Sequence, residues 1–388
     1  MEHFITKIRI DELRHLSDIV ISLNTEKRQH LLITGKNGSG KTSLLLALQK
    51  YLKVVNDGML QLLLDAIKDE KKLGIEIFFS EFKDLDMLYR QGNFVTAYFP
   101  ANRRTRIIPA NGVEDVKLSN CYDIDSNPGE LLQKYMVHLK TQQSYARNEG
   151  DMDTVGRIQK WFDRFIYALQ LLLDDPSAAL EYDYKEYDFK IHEDGRNPFR
   201  FSELSDGYSS VIHIVSDLIL RMDKNWLLDD NISEYDIEGI VLIDELETHL
   251  HIELQKKILP FLTEFFPRIQ FIVTTHSPYI LNSISNAKAY DLENCTELED
   301  MFLYSSDALA EGYFDADEYS DELKIRIERY RYLMGKTEPS EEERAERAKL
   351  RVQLKDIPRG LSQEAREKFE EIEGKHTAKN FKERDFII

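Results

Sequence analysis

The run Gly35-Lys36-Asn37-Gly38-Ser39-Gly40-Lys41-Thr42 constrains this chain more than any other feature of it. It matches the pattern G-x-x-x-x-G-K-[ST] in the setting that pattern requires. A short apolar run at 31–33 reads as a strand before it, and Leu44, Leu45, Leu48 and Leu52 recur at helical spacing after it. Glycines let such a loop wrap a phosphate chain with its N–H groups pointing inward, and the helix that follows adds positive potential. The residues Asn37, Gly38, Ser39, Gly40, Lys41, Thr42 and Ser43 are therefore the expected phosphate cradle. Within it Lys41 is placed to hold the β and γ phosphates, and Thr42 to put its hydroxyl on Mg²⁺.

A cradle needs partners to cleave what it holds. Gly239-Ile240-Val241-Leu242-Ile243 is an unbroken apolar run, as a strand buried on both faces should be, and Asp244 and Glu245 follow it at once. Open parallel sheets bind ligands beyond the C-terminal ends of their strands. Asp244 is thus the candidate Mg²⁺ ligand and Glu245 the candidate general base for an attacking water. A second run, Phe271-Ile272-Val273, leads into Thr274-Thr275-His276-Ser277-Pro278 and brings one imidazole to the same edge. His276 is placed there to donate to the γ-phosphate or to the water.

Strands alternating with amphipathic helices predict an α/β fold of the P-loop NTPase kind. A chain of 388 residues exceeds one ordinary core, so a large nucleotide-binding domain with insertions, or that domain plus a smaller one, is expected. Its order is read as 1–106 with the phosphate loop, 107–200 as an inserted helical lid and hairpin, 201–300 as the rest of the domain, and 301–388 as a charged helical tail. Within the lid two helices are expected at about 129–146 and 152–174, separated by Asn148-Glu149-Gly150-Asp151. One strand at 182–191 should pair with 199–201 across Glu193-Asp194-Gly195. In the tail, Ser340 with Glu343 forms a capping box, and Ser362 starts a last helix.

No apolar run approaches the length of a membrane span, and Met1-Glu2-His3-Phe4-Ile5-Thr6-Lys7 lacks the form of a signal peptide, so a cytoplasmic protein is expected. Cys121 and Cys295 are read as buried free thiols. A net charge of −19 repels a phosphate backbone at long range, which confines nucleic-acid binding to a local patch such as Arg103, Arg104 and Arg106. Those arginines equally suit carboxylate pairing or phosphate sensing.

Leu204-Ser205-Asp206-Gly207-Tyr208 opens a helix about 40 positions before Asp244. This pentapeptide resembles the signature of ABC-type ATPases in the variant form of the SMC-like, RecF-like and OLD-like group. The resemblance runs in order from about residue 1 to 295, through phosphate loop, lid, signature, Asp-Glu strand and His276. It implies an ABC-type head with a mixed, largely parallel sheet that binds ATP and Mg²⁺ and closes as a head-to-tail homodimer. In such a dimer Ser205 and the N–H of Gly207 meet a γ-phosphate presented by the other subunit. It further implies Glu245 as catalytic base, His276 as switch, and Thr248-His249-Leu250-His251 as the loop crossing the dimer axis (the D-loop). The chain departs from the family where His251 replaces the aspartate usual in transporters, and where no lid glutamine is evident; Asn102 or Arg103 could take that glutamine's place.

Three functions are consistent with this. The layout, short lid and charged tail look most like the stand-alone ATPases beside nucleases in Septu-type, retron-associated and related anti-phage systems. A RecF-like DNA-repair ATPase is the alternative, and a transporter's nucleotide-binding subunit fits least. Asp315-Ala316-Asp317 has the spacing of a nuclease carboxylate pair but lacks the strands around it, so no nuclease is expected in this chain. The tail from about residue 318 reads as a docking surface for a nuclease partner, or as a solvated extension.

Overall fold

The computed structural model describes residues 2–56, 74–103, 107–228, 237–313, 321–336, 338–355 and 369–370. The chain forms two compact units, Met1–Ser305 and Ser306–Ile388. The strands are β1 (Ile5–Leu13), β2 (Leu16–Ser22), β3 (His30–Thr34), β4 (Ile75–Phe79), β5 (Phe94–Phe99), β6 (Ala179–Asp183), β7 (Asp188–His192), β8 (Phe199–Arg200), β9 (Glu238–Ile243), β10 (Ile269–Thr274), β11 (Ala287–Asp291) and β12 (Thr296–Leu298). The helices of the first unit are α1 (Lys41–Asn56), α2 (Leu85–Gln91), α3 (Leu132–Glu149), α4 (Met152–Leu173), α5 (Asp206–Leu228), α6 (Ile252–Phe265) and the single turn α7 (Pro278–Leu281).

Six strands make the central sheet in the order β12-β11-β3-β10-β9-β5. Five run parallel, and β12 closes the edge antiparallel to β11. β3, β9 and β10 are buried at every position, which is why their sequences read as continuous apolar runs rather than alternations. An antiparallel sheet, β2-β1-β4, is joined to the central one by Gln270 on β10. Its buried side-chain amide accepts from the N–H of Ile5 at 2.7 Å and donates to the carbonyls of Ile5 at 2.9 Å and Gln29 at 2.8 Å. Between the two sheets α1 buries Leu44, Leu45, Leu48 and Leu52, the leucines of the helical pattern.

The lid folds as an α3–α4 hairpin within the first unit. Gly150 caps α3 in the left-handed region, at φ 81°, and the Asp151 carboxylate starts α4 by accepting from the N–H of Thr154. Trp161, Phe162 and Phe165 on α4 pack with Tyr135 and Phe189 into an aromatic core. The expected single strand at 182–191 is instead two strands, β6 and β7, paired with each other as well as β7 with β8. Asp183 makes the difference: its carboxylate accepts from the N–H of Lys185 and Glu186, and Tyr187 turns left-handed, so the chain reverses inside the alternating stretch.

Cys295 is exposed and Cys121 half-buried, which corrects the reading of both as buried thiols. Cys295 lies in the turn between β11 and β12, where its own backbone is left-handed and its side chain has no core to enter. The second unit contains α8 (Ser306–Gly312), α9 (Asp321–Gly335) and α10 (Glu341–Lys355). Ile327, Tyr330 and Leu333 of α9 pack with Leu350 and Leu354 of α10. At the start of α10 the capping box forms, with Ser340 and Glu343 each accepting the other's backbone N–H. The basic residues Arg104 and Arg106, the Asp315–Asp317 pair and most of the last expected helix lie outside the described residues. Among those described, no helix is long and apolar enough to cross a membrane.

Candidate nucleotide site

The sheet order brings the sequence motifs together. β10 lies between β3 and β9, so the turn carrying His276 leaves the sheet between the phosphate loop and the Asp244 turn. Each exit continues the ladder for another residue. Thr275 N–H reaches Ile33 O, Leu246 N–H reaches Thr274 O, Asp244 N–H reaches Phe99 O and Leu292 N–H reaches Thr34 O, all within 3.1 Å. Loops fixed this closely at their roots hold side chains in place without help from a ligand.

The phosphate loop is packed from two sides. Gly35 has φ 128°, and a Cβ there would stand 2.9 Å from Ser39 Oγ and 3.1 Å from the backbone N of Glu293. Gly40 has φ 99°, and its Cβ would meet Leu16 at 2.9 Å and His15 at 3.3 Å. The turn Arg14-His15 between β1 and β2 therefore rests on the loop, a neighbour the sequence motifs did not indicate. On the other side Glu293 accepts from the N–H of Lys36 at 3.3 Å and pairs with its ammonium at 3.0 Å. Lys41 is buried, with Nζ donating to the carbonyls of Gly35 at 2.7 Å and Lys36 at 3.0 Å. Burial lowers its pKa, while Glu245, Glu247, Asp244 and Asp291 act in the opposite direction. Asn37 and Gly38 are exposed at the loop tip, and Thr42 faces out at the helix start.

Asp244 is buried, and two hydroxyls converge on it. Thr42 Oγ1 donates to Oδ2 at 2.9 Å, and Thr274 Oγ1 donates to Oδ1 at 2.6 Å. Thr274 Oγ1 also accepts the N–H of Glu245 at 2.7 Å. Glu245 itself sits at φ 45°, a left-handed conformation that a non-glycine residue keeps only when its surroundings impose it. Glu247, which the motif reading passed over, accepts from the Thr275 hydroxyl at 2.7 Å and from the N–H of His276 at 2.5 Å. The His276 ring carries a buried Nε2 with no hydrogen-bond partner. Its pKa lies below the ordinary value, first through burial and then through Lys41, so the ring is neutral at pH 7. Ser39 Oγ is likewise buried and unpartnered. Unsatisfied polar atoms beside a glycine-built loop and a lysine suit an anionic ligand, and the Thr42–Asp244 oxygens suit a hard cation.

Arg103 is not available to a ligand. It is 5% exposed. Its Nε donates to Ser210 Oγ, one terminal nitrogen to the carbonyls of Pro100 and Asp244, and the other to those of Glu245 and Leu246, at 2.6 to 3.3 Å. A guanidinium has five N–H groups, and all five are used. Burial brings its pKa down to about 10, which leaves it charged at neutral pH. This corrects the reading of Arg103 as a contact to DNA or phosphate or as a stand-in for the lid glutamine. Asn102 lines a cavity of about 790 Å³ with Arg200, Leu204, Asp206 and His249.

In the signature, Ser205 is exposed and Gly207 buried at the start of α5. A Cβ on Gly207 would lie 2.7 Å from the carbonyl oxygen of His249, so the signature helix is seated directly on the D-loop. His249 is itself left-handed, at φ 67°. No cluster of His, Cys, Asp and Glu able to hold a metal on its own is present among the described residues.

Residues 122–282 match the family described as "AAA domain, putative AbiEii toxin, Type IV TA system". The Septu protein PtuA of Bacillus mycoides is 26% identical, over 91% of this chain and 50% of its own length. A protein of Vibrio cholerae named "Retron Vc95 probable ATPase" is 30% identical over 53% of this chain and 37% of its own. The chain is similar to these two proteins over part of their length. It spans half the length of that PtuA and a smaller part of the retron protein. An SMC head bound to the C-terminal winged-helix domain of ScpA aligns over 77% of this chain and 96% of its own, at 13% identity and a TM-score of 0.40. The family match covers the lid, the signature, the Asp244 turn and His276, and begins after the phosphate loop.

Proposed function

We propose that this chain binds ATP with Mg²⁺ and hydrolyses it as a head-to-tail dimer, and that opening and closing of the dimer controls a nuclease partner in anti-phage defence. The observation that carries the catalytic part is the clasp of Asp244 between the hydroxyls of Thr42 and Thr274, with Glu245 fixed beside it. Lys41, the N–H groups from Asn37 to Ser43 and the α1 N-terminus hold the phosphates. Thr42 and Asp244 would hold Mg²⁺, which when bound offsets phosphate charge and draws electrons from the γ-phosphorus. Glu245 takes the proton of the attacking water, and its left-handed backbone sets the carboxylate at the sheet edge. His276, neutral and with Nε2 free of protein partners, donates to the γ-phosphate from the strand between Lys41 and Asp244. Ser205 and Gly207 complete the site on the partner's nucleotide.

The defence role is supported by the PtuA and retron relatives, and the second unit, with its own small core, is the proposed docking surface for the nuclease. The RecF-like alternative loses weight because Arg103, one of the three basic residues it relied on, is buried and fully bonded.

The deciding experiment measures mass with and without ATP and Mg²⁺ for wild type, Glu245→Gln and Ser205→Arg. A stable ATP-dependent dimer of Glu245→Gln, abolished by adding Ser205→Arg, is expected. Mass unchanged by ATP in every variant would overturn the composite site. Copurification of a nuclease with the full chain, lost on truncation from residue 318, tests the partner. Loading of the chain alone on gapped DNA would favour the repair reading instead.

A further inference from the structure

Arg103 bonds two different pieces of machinery within one subunit. On one side its terminal nitrogens hold three successive carbonyls, those of Asp244, Glu245 and Leu246, which form the turn carrying the metal ligand and the base. On the other its Nε holds the hydroxyl of Ser210, one turn into the helix that the signature opens. Ser210 is 2% exposed, so solvent cannot replace that bond cheaply. A second contact ties the same two pieces: the His249 carbonyl fills the space where a Gly207 side chain would be. Turn and helix are therefore bound to move together.

We propose that Arg103 is a positioning residue that links the catalytic turn to the signature helix of the same chain, so that each subunit passes the state of one ATP site to the other. This rests on the dimer reading above. Glu245 serves the nucleotide on the chain's own phosphate loop, while Ser205 and Gly207 serve the nucleotide of the second subunit. A strut between them makes the two sites a single mechanical unit. With every N–H used on protein acceptors, the guanidinium has geometry to contribute here and no donor left for phosphate.

Arg103→Gln is expected to lower kcat by about 10- to 100-fold and leave KM for ATP within about twofold, because Lys41 and Thr42 keep their places. The coupling is read by mixing variant and wild type at constant total concentration. A variant that disables only its own site leaves about half the rate in an equal mixture, whereas one that disables both sites of every dimer containing it leaves about a quarter. A quarter is expected. A half, in a protein whose mass shows an ATP-dependent dimer, overturns the strut and leaves the dimer standing. Turnover by a chain that stays monomeric in ATP and Mg²⁺ overturns both.

Arg103→Lys brings back the charge but at most three donors, so it should stay close to Arg103→Gln; full rescue would assign the effect to charge and overturn the strut. Ser210→Ala removes only the link to the signature helix and guards against a misfolded Arg103 variant. Its mixing curve is expected to bend below the proportional line, and a straight line would overturn the proposal.

Discussion

The Thr42 hydroxyl and the Asp244 carboxylate, 202 positions apart in sequence, lie 2.9 Å from each other, and Thr274 holds the other carboxylate oxygen at 2.6 Å. Asp244 is thereby held in one orientation beside Thr42, and in the proposed site these two residues would hold Mg²⁺. Asp244→Asn replaces an acceptor with an amide donor facing a hydroxyl and removes the negative charge. Mg²⁺-dependent ATP hydrolysis should fall by at least about 100-fold, with a smaller loss in ATP affinity. A titration of turnover against Mg²⁺ checks this; a variant with near wild-type rate and unchanged Mg²⁺ dependence would remove Asp244 from the metal site.

Gly207 tests the seat of the signature helix. Its Cβ would stand 2.7 Å from the His249 carbonyl oxygen, a backbone atom that cannot swing aside. Gly207→Ala should therefore push the helix start off the D-loop by under about 1 Å and lower ATP turnover by about tenfold or more. Binding of ATP to the variant's own phosphate loop should persist. Equilibrium ATP binding beside steady-state turnover separates the two, and an equal loss of both would show that the fold as a whole had suffered.

His30 makes acid stability measurable. It is buried at the start of β3, where Nδ1 accepts the N–H of Phe271 at 3.1 Å, a bond only the neutral ring can accept. Burial, helped by Arg28, pulls its pKa from 6.5 down to about 4. The unfolded chain then takes up a proton first as pH falls, so the contribution is intact above about pH 6.5 and is lost toward pH 4. Between pH 7.5 and 5 this one group should cost about 2 kcal/mol of stability. Denaturant unfolding of wild type and His30→Gln across that range checks it, with the variant expected to show the flatter profile.

Asp223 has the opposite sign. Fully buried among Tyr135 and Trp161, its carboxyl is pushed up to about 7 by burial, from an ordinary 3.8. The fold keeps it protonated while the unfolded chain ionises, so its contribution falls as pH rises from about 4 to 7. Asp223→Asn keeps a neutral group of the same shape and escapes that cost. Its stability relative to wild type should rise with pH, by up to about 4 kcal/mol at pH 8. Parallel stability curves for the two proteins would place the carboxyl in a far wetter environment than the structure gives it.

The sequence by itself determined the parts whose signal is local. The glycines and lysine of the phosphate loop, the apolar runs of β9 and β10 and the caps at Asp151 and Ser340 are set by backbone conformation, burial and short-range hydrogen bonds, all of which leave periodic or positional traces. Asp183 and Tyr187 show the limit of such traces, since one side chain bonding its own backbone outweighed the alternation around it. The tertiary structure alone decided what depends on strand order and on which donors are already used. Placing β10 between β3 and β9 put His276 between Lys41 and Asp244. The same packing folded Arg103 under the catalytic turn, where five backbone and hydroxyl oxygens consume a guanidinium that looks, in sequence, like an exposed basic patch. His15, Leu16 and Glu247 join the site for the same reason: contact between segments far apart in the chain has no periodicity for a sequence to reveal.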